Sequence, residues 1–306
     1  MKILASRRFP GPAWERLTDV EYLDAPLPEG VGARRDDVEA LAVVGEKVDE
    51  DTLDRLPNLR LVANFGVGYD SIDVGVAAAR GVMVSNTPGV LDAATADLTL
   101  ALILASRRRV VSGDRAVRAG RWTGGWADPD FLGRDVTGAT LGIVGFGRIG
   151  QAVGRRARAF EMRVLHTARR PSDHPDRREL DELLAVADVV TLHVPLAAET
   201  TGLIDRRRLA LMKDGACLVN TARGQIVDEE ALVEELVSGR IDAALDVFAH
   251  EPHVPTELLG LPNVVLTPHV GSATTETREA MTRVLVDNLL AAERGEEPPN
   301  LVYPDA

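Results

Sequence analysis

Four short stretches carry residue types that could do chemistry together. "LGIVGFGRIG" places Gly145, Phe146, Gly147, Arg148, Ile149 and Gly150 directly after an apolar run and before a helix-compatible segment. Glycines at that spacing let a backbone turn tightly and approach a pyrophosphate, while a helix N-terminus offers unpaired N–H groups and the positive end of its dipole. Arg223 follows "CLVNTA", Glu251 follows "ALDVFAH" and His269 follows "VVLTP". A guanidinium holds a carboxylate with a planar fork of donors and can polarise a neighbouring carbonyl. An imidazole gives a proton near neutral pH, and a carboxylate beside it orients the ring and favours the imidazolium. That set suits hydride delivery from a dinucleotide to a carbonyl next to a carboxylate.

For these residues to meet, strands must end on one edge of a parallel sheet, where ligands bind outside the carboxyl ends. The apolar runs "TLGIVG", "RVLHT", "DVVTLHV", "ACLVNT", "DAALDVF" and "NVVLTPH" alternate with helix-compatible segments from about residue 140 to 270. They predict a doubly wound sheet. An earlier series, "KILAS", "VEYL", "ALAVVG", "LRLVANFG" and "VMVSN", predicts a smaller α/β unit. Residues 91–120 have few breakers and read as one long, largely buried helix. The amphipathic run ending at Gly295 is expected to return to the first domain and make it discontinuous.

"NFGVGYDSID" puts Gly66 and Gly68 after a strand, so the amides of Val67 and Gly68 could form a nest for a second carboxylate contact. A simple tight turn is the other reading of this stretch. If it is a nest, it is expected to face Arg223 across a cleft between domains.

The strand that should carry the acidic ribose ligand of an NAD site ends instead in Thr167 and Ala168, followed by Arg169 and Arg170. Guanidinium groups hold a 2′-phosphate that a carboxylate would repel. The expected cofactor is therefore NADP, with NAD possible. The competing reading makes one or both arginines solvated surface charges.

Bulk properties narrow the partners. With 35 Lys plus Arg against 47 Asp plus Glu in 306 residues, the net charge is −12, which disfavours nucleic acid and anionic membrane. A lone Cys217 excludes an intramolecular disulfide and reads as a buried structural thiol. His250 and His253 flank Glu251, but no helix carries an HExxH pair and no metal is expected. The longest apolar run, 98–105, is too short to span a bilayer, and the chain is expected to be cytoplasmic.

"GFGRIG", "NTARGQIVDEEAL", "ALDVFAHEP" and "NVVLTPHVGSAT" together resemble the D-isomer-specific 2-hydroxyacid dehydrogenases, over nearly the whole chain. Within that family "NTPGVLDAATADLTLALILASRRRV", "RWTGGW" and "NLLAAERGEEPPNLV" look most like glyoxylate/hydroxypyruvate reductases. The resemblance implies two doubly wound α/β domains, a Rossmann-type coenzyme domain (96–271) inserted into a flavodoxin-like substrate domain (1–95 and 272–306), and a homodimer. It implies catalytic roles for Arg223, Glu251 and His269, and substrate contacts from Val67, Gly68 and Arg223. Trp126 matches a residue that reaches toward the partner subunit's active site, and a packed interface aromatic is its alternative. Asp246 is implied to meet the nicotinamide amide, and Thr95, His193, Thr221 and Gly271 to approach the cofactor.

The implied reaction is reduction of glyoxylate or hydroxypyruvate to the D-2-hydroxyacid with NADPH. Two alternatives stay open. One is an NAD-dependent dehydrogenase of another D-2-hydroxyacid, such as phosphoglycerate or an aromatic acid. The other is a nucleotide-sensing corepressor like the C-terminal binding proteins, disfavoured by the absence of a low-complexity tail.

Overall fold

A computed structural model describes residues 1–124, 131–169 and 174–304. The chain divides into two compact units, Met1–Leu91 with Ser272–Ala306, and Asp92–Gly271. The first crossing therefore falls at 91/92 rather than 95/96, because Asp92 already opens the helix Asp92–Arg107, which packs on the second sheet.

In the first unit β1 (Ile3–Ala5), β2 (Val20–Tyr22), β3 (Ala40–Val43), β4 (Leu61–Asn64) and β5 (Met83–Ser85) are all parallel and lie in the order β2-β1-β3-β4-β5. That is the flavodoxin-like order. A two-residue strand, Leu301–Val302, adds antiparallel to β5. The core beneath the sheet is built from Leu4, Leu41, Val43, Val62 and Val84. The helix Thr275–Glu293 packs against β4 with Leu285, Val286 and Leu289 fully buried.

In the second unit β6 (Thr140–Val144), β7 (Arg163–Thr167), β8 (Val189–Leu192), β9 (Cys217–Asn220), β10 (Asp242–Leu245) and β11 (Val264–Leu266) are again parallel, in the order β7-β6-β8-β9-β10-β11. A single parallel bridge, His166 to Arg177, sits outside β7 where a Rossmann sheet has its third strand. Both faces of this sheet are covered, which is why its strands are continuous apolar runs rather than alternating ones.

The expected single helix over 91–120 is two helices, Asp92–Arg107 and Val110–Arg118, separated by Arg109 with a left-handed φ of 54°. Side chains hold the corner: Arg109 and Ser112 both donate to the Pro262 carbonyl, and Arg109 pairs with Asp242 at 3.4 Å. Cys217 is fully buried on β9 with its Sγ 3.2 Å from Ser106 Oγ, and burial pushes the thiol up to about 12. Among the described residues no helix is long and apolar enough to cross a membrane.

Candidate active site

β6 runs straight into the glycine turn. Gly145 adopts φ 94°, donates its amide to the Thr167 carbonyl at 3.0 Å, and lies so close to His193 that a Cβ would fall 2.5 Å from the His193 oxygen. Gly150 is packed under the Gly145 carbonyl, where a Cβ would overlap it. Gly147 differs: among the described residues a Cβ there would meet nothing within 4 Å. It precedes the helix Arg148–Ala159, whose first amides have no partner within the helix. Two glycines therefore shape the turn and the third leaves open space before a helix N-terminus, a cradle that fits a dinucleotide pyrophosphate.

Other expected cofactor residues sit around this cradle in different ways. Arg148 is tied to Asp92 at 3.2 Å, and the Ile149 side chain packs into the core. Thr167 closes β7, and Arg169 beyond it is 82% exposed with Glu199 at 3.9 Å. Residues 167–169 contain no carboxylate. Arg170 and Trp126 lie outside the described residues. His193 Nε2 is 3.0 Å from Thr191 Oγ1, and burial pulls its imidazole down to about 3, so it stays neutral. Thr221 Oγ1 meets Thr99 Oγ1 at 3.1 Å, and Thr95 packs beside Gly271.

Arg223, Glu251 and His269 follow β9, β10 and β11, three neighbouring strands ending on the same edge. His269 Nδ1 lies 2.7 Å from Glu251 Oε2, leaving Nε2 as the ring's other polar atom. Burial pushes the Glu251 carboxyl up, but His269, the Phe248 amide and the Arg223 charge outweigh it and hold it below its ordinary value. Asp246 braces the His269 loop. Its Oδ1 accepts from Thr267 Oγ1 at 2.6 Å and Val270 N at 2.8 Å, and its Oδ2 accepts from Gly271 N at 2.8 Å. These bonds flank His269, whose φ is 51°.

Several residues that build this edge were missed at the level of sequence. Asn220 is buried and clamps the Arg223 turn at both ends, accepting from Ala222 N at 3.0 Å and donating to the Arg223 carbonyl at 2.8 Å. Gly224 lies against the backbone of Phe248 and Ala249, with no room for a side chain. Gln225 donates to the Ala249 carbonyl at 2.8 Å, and Ala249 N donates to Glu229 at 2.9 Å. The Arg223 turn and the Glu251 turn are thus stitched together. Asn220, the last residue of the buried strand β9, was the available signal, since a polar residue there needs a partner. Phe146 stacks on buried His166 at 3.9 Å, supporting the glycine turn from below.

In the first unit the 66–68 segment follows β4. The Gly66, Val67 and Gly68 carbonyls accept from Asn64 Nδ2, Asn86 Nδ2 and Thr87 N at 2.8 to 3.3 Å.

Comparison with known proteins agrees with this arrangement. Residues 100–271 match the family model for the NAD-binding domain of the D-isomer-specific 2-hydroxyacid dehydrogenases. The chain is 50% identical over 277 residues to a glyoxylate reductase of Pyrococcus furiosus, covering 87% of this chain and 82% of that protein. A crystal structure of a Thermus thermophilus protein is 47% identical with a TM-score of 0.92, over 99% of this chain and 100% of that one. An NADPH-dependent glyoxylate/hydroxypyruvate reductase from Sinorhizobium meliloti, solved with NADP and malonate, is 35% identical with a TM-score of 0.88, over 98% and 96% of the two chains. Two parallel α/β sheets, a glycine cradle and a paired Glu and His on one sheet edge are thus found in a chain that belongs to the D-isomer-specific 2-hydroxyacid dehydrogenases.

Proposed function

We propose that this protein reduces a small 2-oxoacid, glyoxylate or hydroxypyruvate, to the D-2-hydroxyacid, with NADPH preferred over NADH. The observation that carries the reading is the 2.7 Å contact between Glu251 and His269, on the strand-end edge that also bears Arg223 and the glycine cradle. The relatives named above support the substrate class.

A bound nicotinamide dinucleotide supplies the hydride to the carbonyl carbon. Gly145, Gly147, Gly150 and the helix amides behind them would hold its pyrophosphate. Arg169 beyond Thr167, with no carboxylate at 167–169, supports the preference for a 2′-phosphate. Arg223 anchors the substrate carboxylate and polarises the carbonyl, and contacts to a substrate carboxylate are assigned to the Val67 and Gly68 amides as well. His269 delivers a proton from Nε2 to the carbonyl oxygen as negative charge builds there, and Glu251 fixes the ring and stabilises the imidazolium. One C–H and one O–H bond would form, while the carbonyl π bond, the Nε2–H bond of His269 and the C–H bond of the hydride donor would be lost. Asp246 positions the His269 loop, and its remaining acceptor capacity is assigned to the nicotinamide amide.

A homodimer is part of the same proposal. Val110, Val117, Trp122 and Leu132 are large apolar side chains, all more than half exposed within one stretch of the second unit, a composition that fits an interface between two copies. We assign the enzyme to the cytoplasm, where reduced dinucleotide is supplied and an unpaired thiol persists.

The test is initial-rate reduction of glyoxylate, hydroxypyruvate and phenylpyruvate with NADPH and NADH, on the wild type, Arg169→Ala and His269→Ala. Small oxoacids should be preferred with NADPH, and Arg169→Ala should erode that preference. His269→Ala should lose about a hundredfold or more in kcat while NADPH still binds. Retained turnover in His269→Ala would falsify the general-acid role, and better use of NADH by the wild type would remove the NADPH assignment.

A further inference from the structure

We infer that Asn64 and Asn86 are positioning residues that aim three consecutive backbone amides, those of Val67, Gly68 and Tyr69, at the substrate carboxylate. The inference rests on the proposed reading of Val67 and Gly68, and it adds a third donor and the side chains that set all three.

The argument is one of peptide geometry. A trans peptide is planar, so the N–H of each residue points opposite to the carbonyl of the residue before it. The cis bonds among the described residues precede Pro28 and Pro252, so this segment is trans throughout. The Gly66 carbonyl accepts from Thr87 N at 2.9 Å and Asn64 Nδ2 at 3.3 Å, which turns the Val67 amide the other way. The Val67 carbonyl accepts from Asn86 Nδ2 at 2.9 Å, which turns the Gly68 amide. The Gly68 carbonyl accepts from Asn64 Nδ2 at 2.8 Å, which turns the Tyr69 amide. Among the described residues none of these three amides donates to a backbone acceptor. Three carbonyls held down and three amides turned away make an anion nest with no charged side chain of its own.

The two asparagines are themselves fixed from behind. Asn64 is 2% exposed at the end of β4. Asn86 donates its backbone N–H to the Asn300 carbonyl at 3.1 Å, and its own carbonyl accepts from Asn288 Nδ2 at 3.2 Å. Asn288 is fully buried in the helix Thr275–Glu293, and its Oδ1 accepts from Asn300 N at 3.1 Å. The segment "NLLAAERGEEPPNLV" therefore reaches back to the nest through an amide relay that ends on the Val67 carbonyl.

An amide side chain meets the requirement at 64 and 86, because its NH2 group offers two uncharged N–H donors to the carbonyls. A carboxylate there would repel them and the bound anion together.

The experiment measures glyoxylate KM and kcat and the Kd values of NADPH and oxalate for the wild type, Asn64→Ala, Asn86→Ala and Asn86→Asp. Oxalate, a non-reacting dicarboxylate, is titrated into the NADPH-bound enzyme by calorimetry. KM for glyoxylate and Kd for oxalate should rise together by about tenfold or more, the loss expected when hydrogen bonds to a charged group are weakened. The Kd for NADPH should stay unchanged, kcat should fall far less than KM rises, and Asn86→Asp should be worse than Asn86→Ala. If Asn64→Ala does not fold, the half-buried Asn86 carries the test. Unchanged KM and oxalate Kd in a folded Asn86→Ala enzyme would overturn the inference while glyoxylate turnover by the wild type keeps the proposed reaction standing. If the wild type turns over no small oxoacid, that reaction falls, and the oxalate titration still decides whether the asparagines aim an anion site.

Discussion

His269 sits with φ 51°, in a region that costs a non-glycine residue about 1–2 kcal/mol. The Asp246 carboxylate offsets that cost through its bonds to Thr267, Val270 and Gly271. Replacing one oxygen with an NH2 group sets a donor against a donor. Asp246→Asn should therefore lower stability by roughly 1–3 kcal/mol and reduce kcat more than the KM for cofactor, as thermal denaturation and steady-state rates would reveal. Glu251 offers a pH test. Its folded-state pKa lies below its ordinary value, so its contribution to stability is present above the unfolded value near 4.5 and is lost as pH falls through the lowered folded value. The Tm gap between wild type and Glu251→Gln should be full at pH 7 and close progressively below about pH 4.5. A gap that does not vary with pH would mean the carboxylate's charge contributes nothing. At neutral pH Glu251→Gln should also lower kcat/KM by about ten- to a hundredfold, since the imidazolium loses its counter-charge.

At the scale of elements, the glycine turn separates shape from binding. Gly150→Ala must displace the Gly145 carbonyl and should destabilise the second unit by about 1–3 kcal/mol. Gly147→Ala meets no atom of the described residues within 4 Å, so its Tm should match the wild type while NADPH binding is lost. A Gly147→Ala enzyme that binds NADPH normally would place the pyrophosphate elsewhere. The same contrast explains what could be read from sequence. Parallel strands buried on both faces are written as unbroken apolar runs, so β6 through β11 and the residues at their ends were legible. Arg109 was not, because nothing local announces a left-handed arginine; its conformation is set by Pro262 and Asp242, far along the chain. Nor could the spacing of Asn64, Asn86 and Asn288 show that the first two hold one three-residue segment and that the third holds the backbone of Asn86. Among the described residues the third Rossmann strand is represented by one bridge at Arg177, too little to leave a pattern. Leu301–Val302 pairs at a sheet edge with two residues, shorter than any periodicity.

For the whole molecule, the apolar side chains of Val110, Val117, Trp122 and Leu132 predict association. Trp122→Asp, at a position 64% exposed, should leave the fold intact and shift the protein from dimer to monomer in sedimentation velocity. A wild type that sediments as a monomer at micromolar concentration would remove the dimer from the proposal. Cys217 gives a different kind of access to the intact protein. As the chain's one thiol, buried in the middle of the second sheet and held protonated, it is inert to alkylating reagents while that sheet is closed. The rate at which a maleimide labels it becomes a clock for opening of the Asp92–Gly271 unit, read by mass without any added probe. NADPH, or any ligand that binds only the closed unit, should slow that clock in proportion to its occupancy.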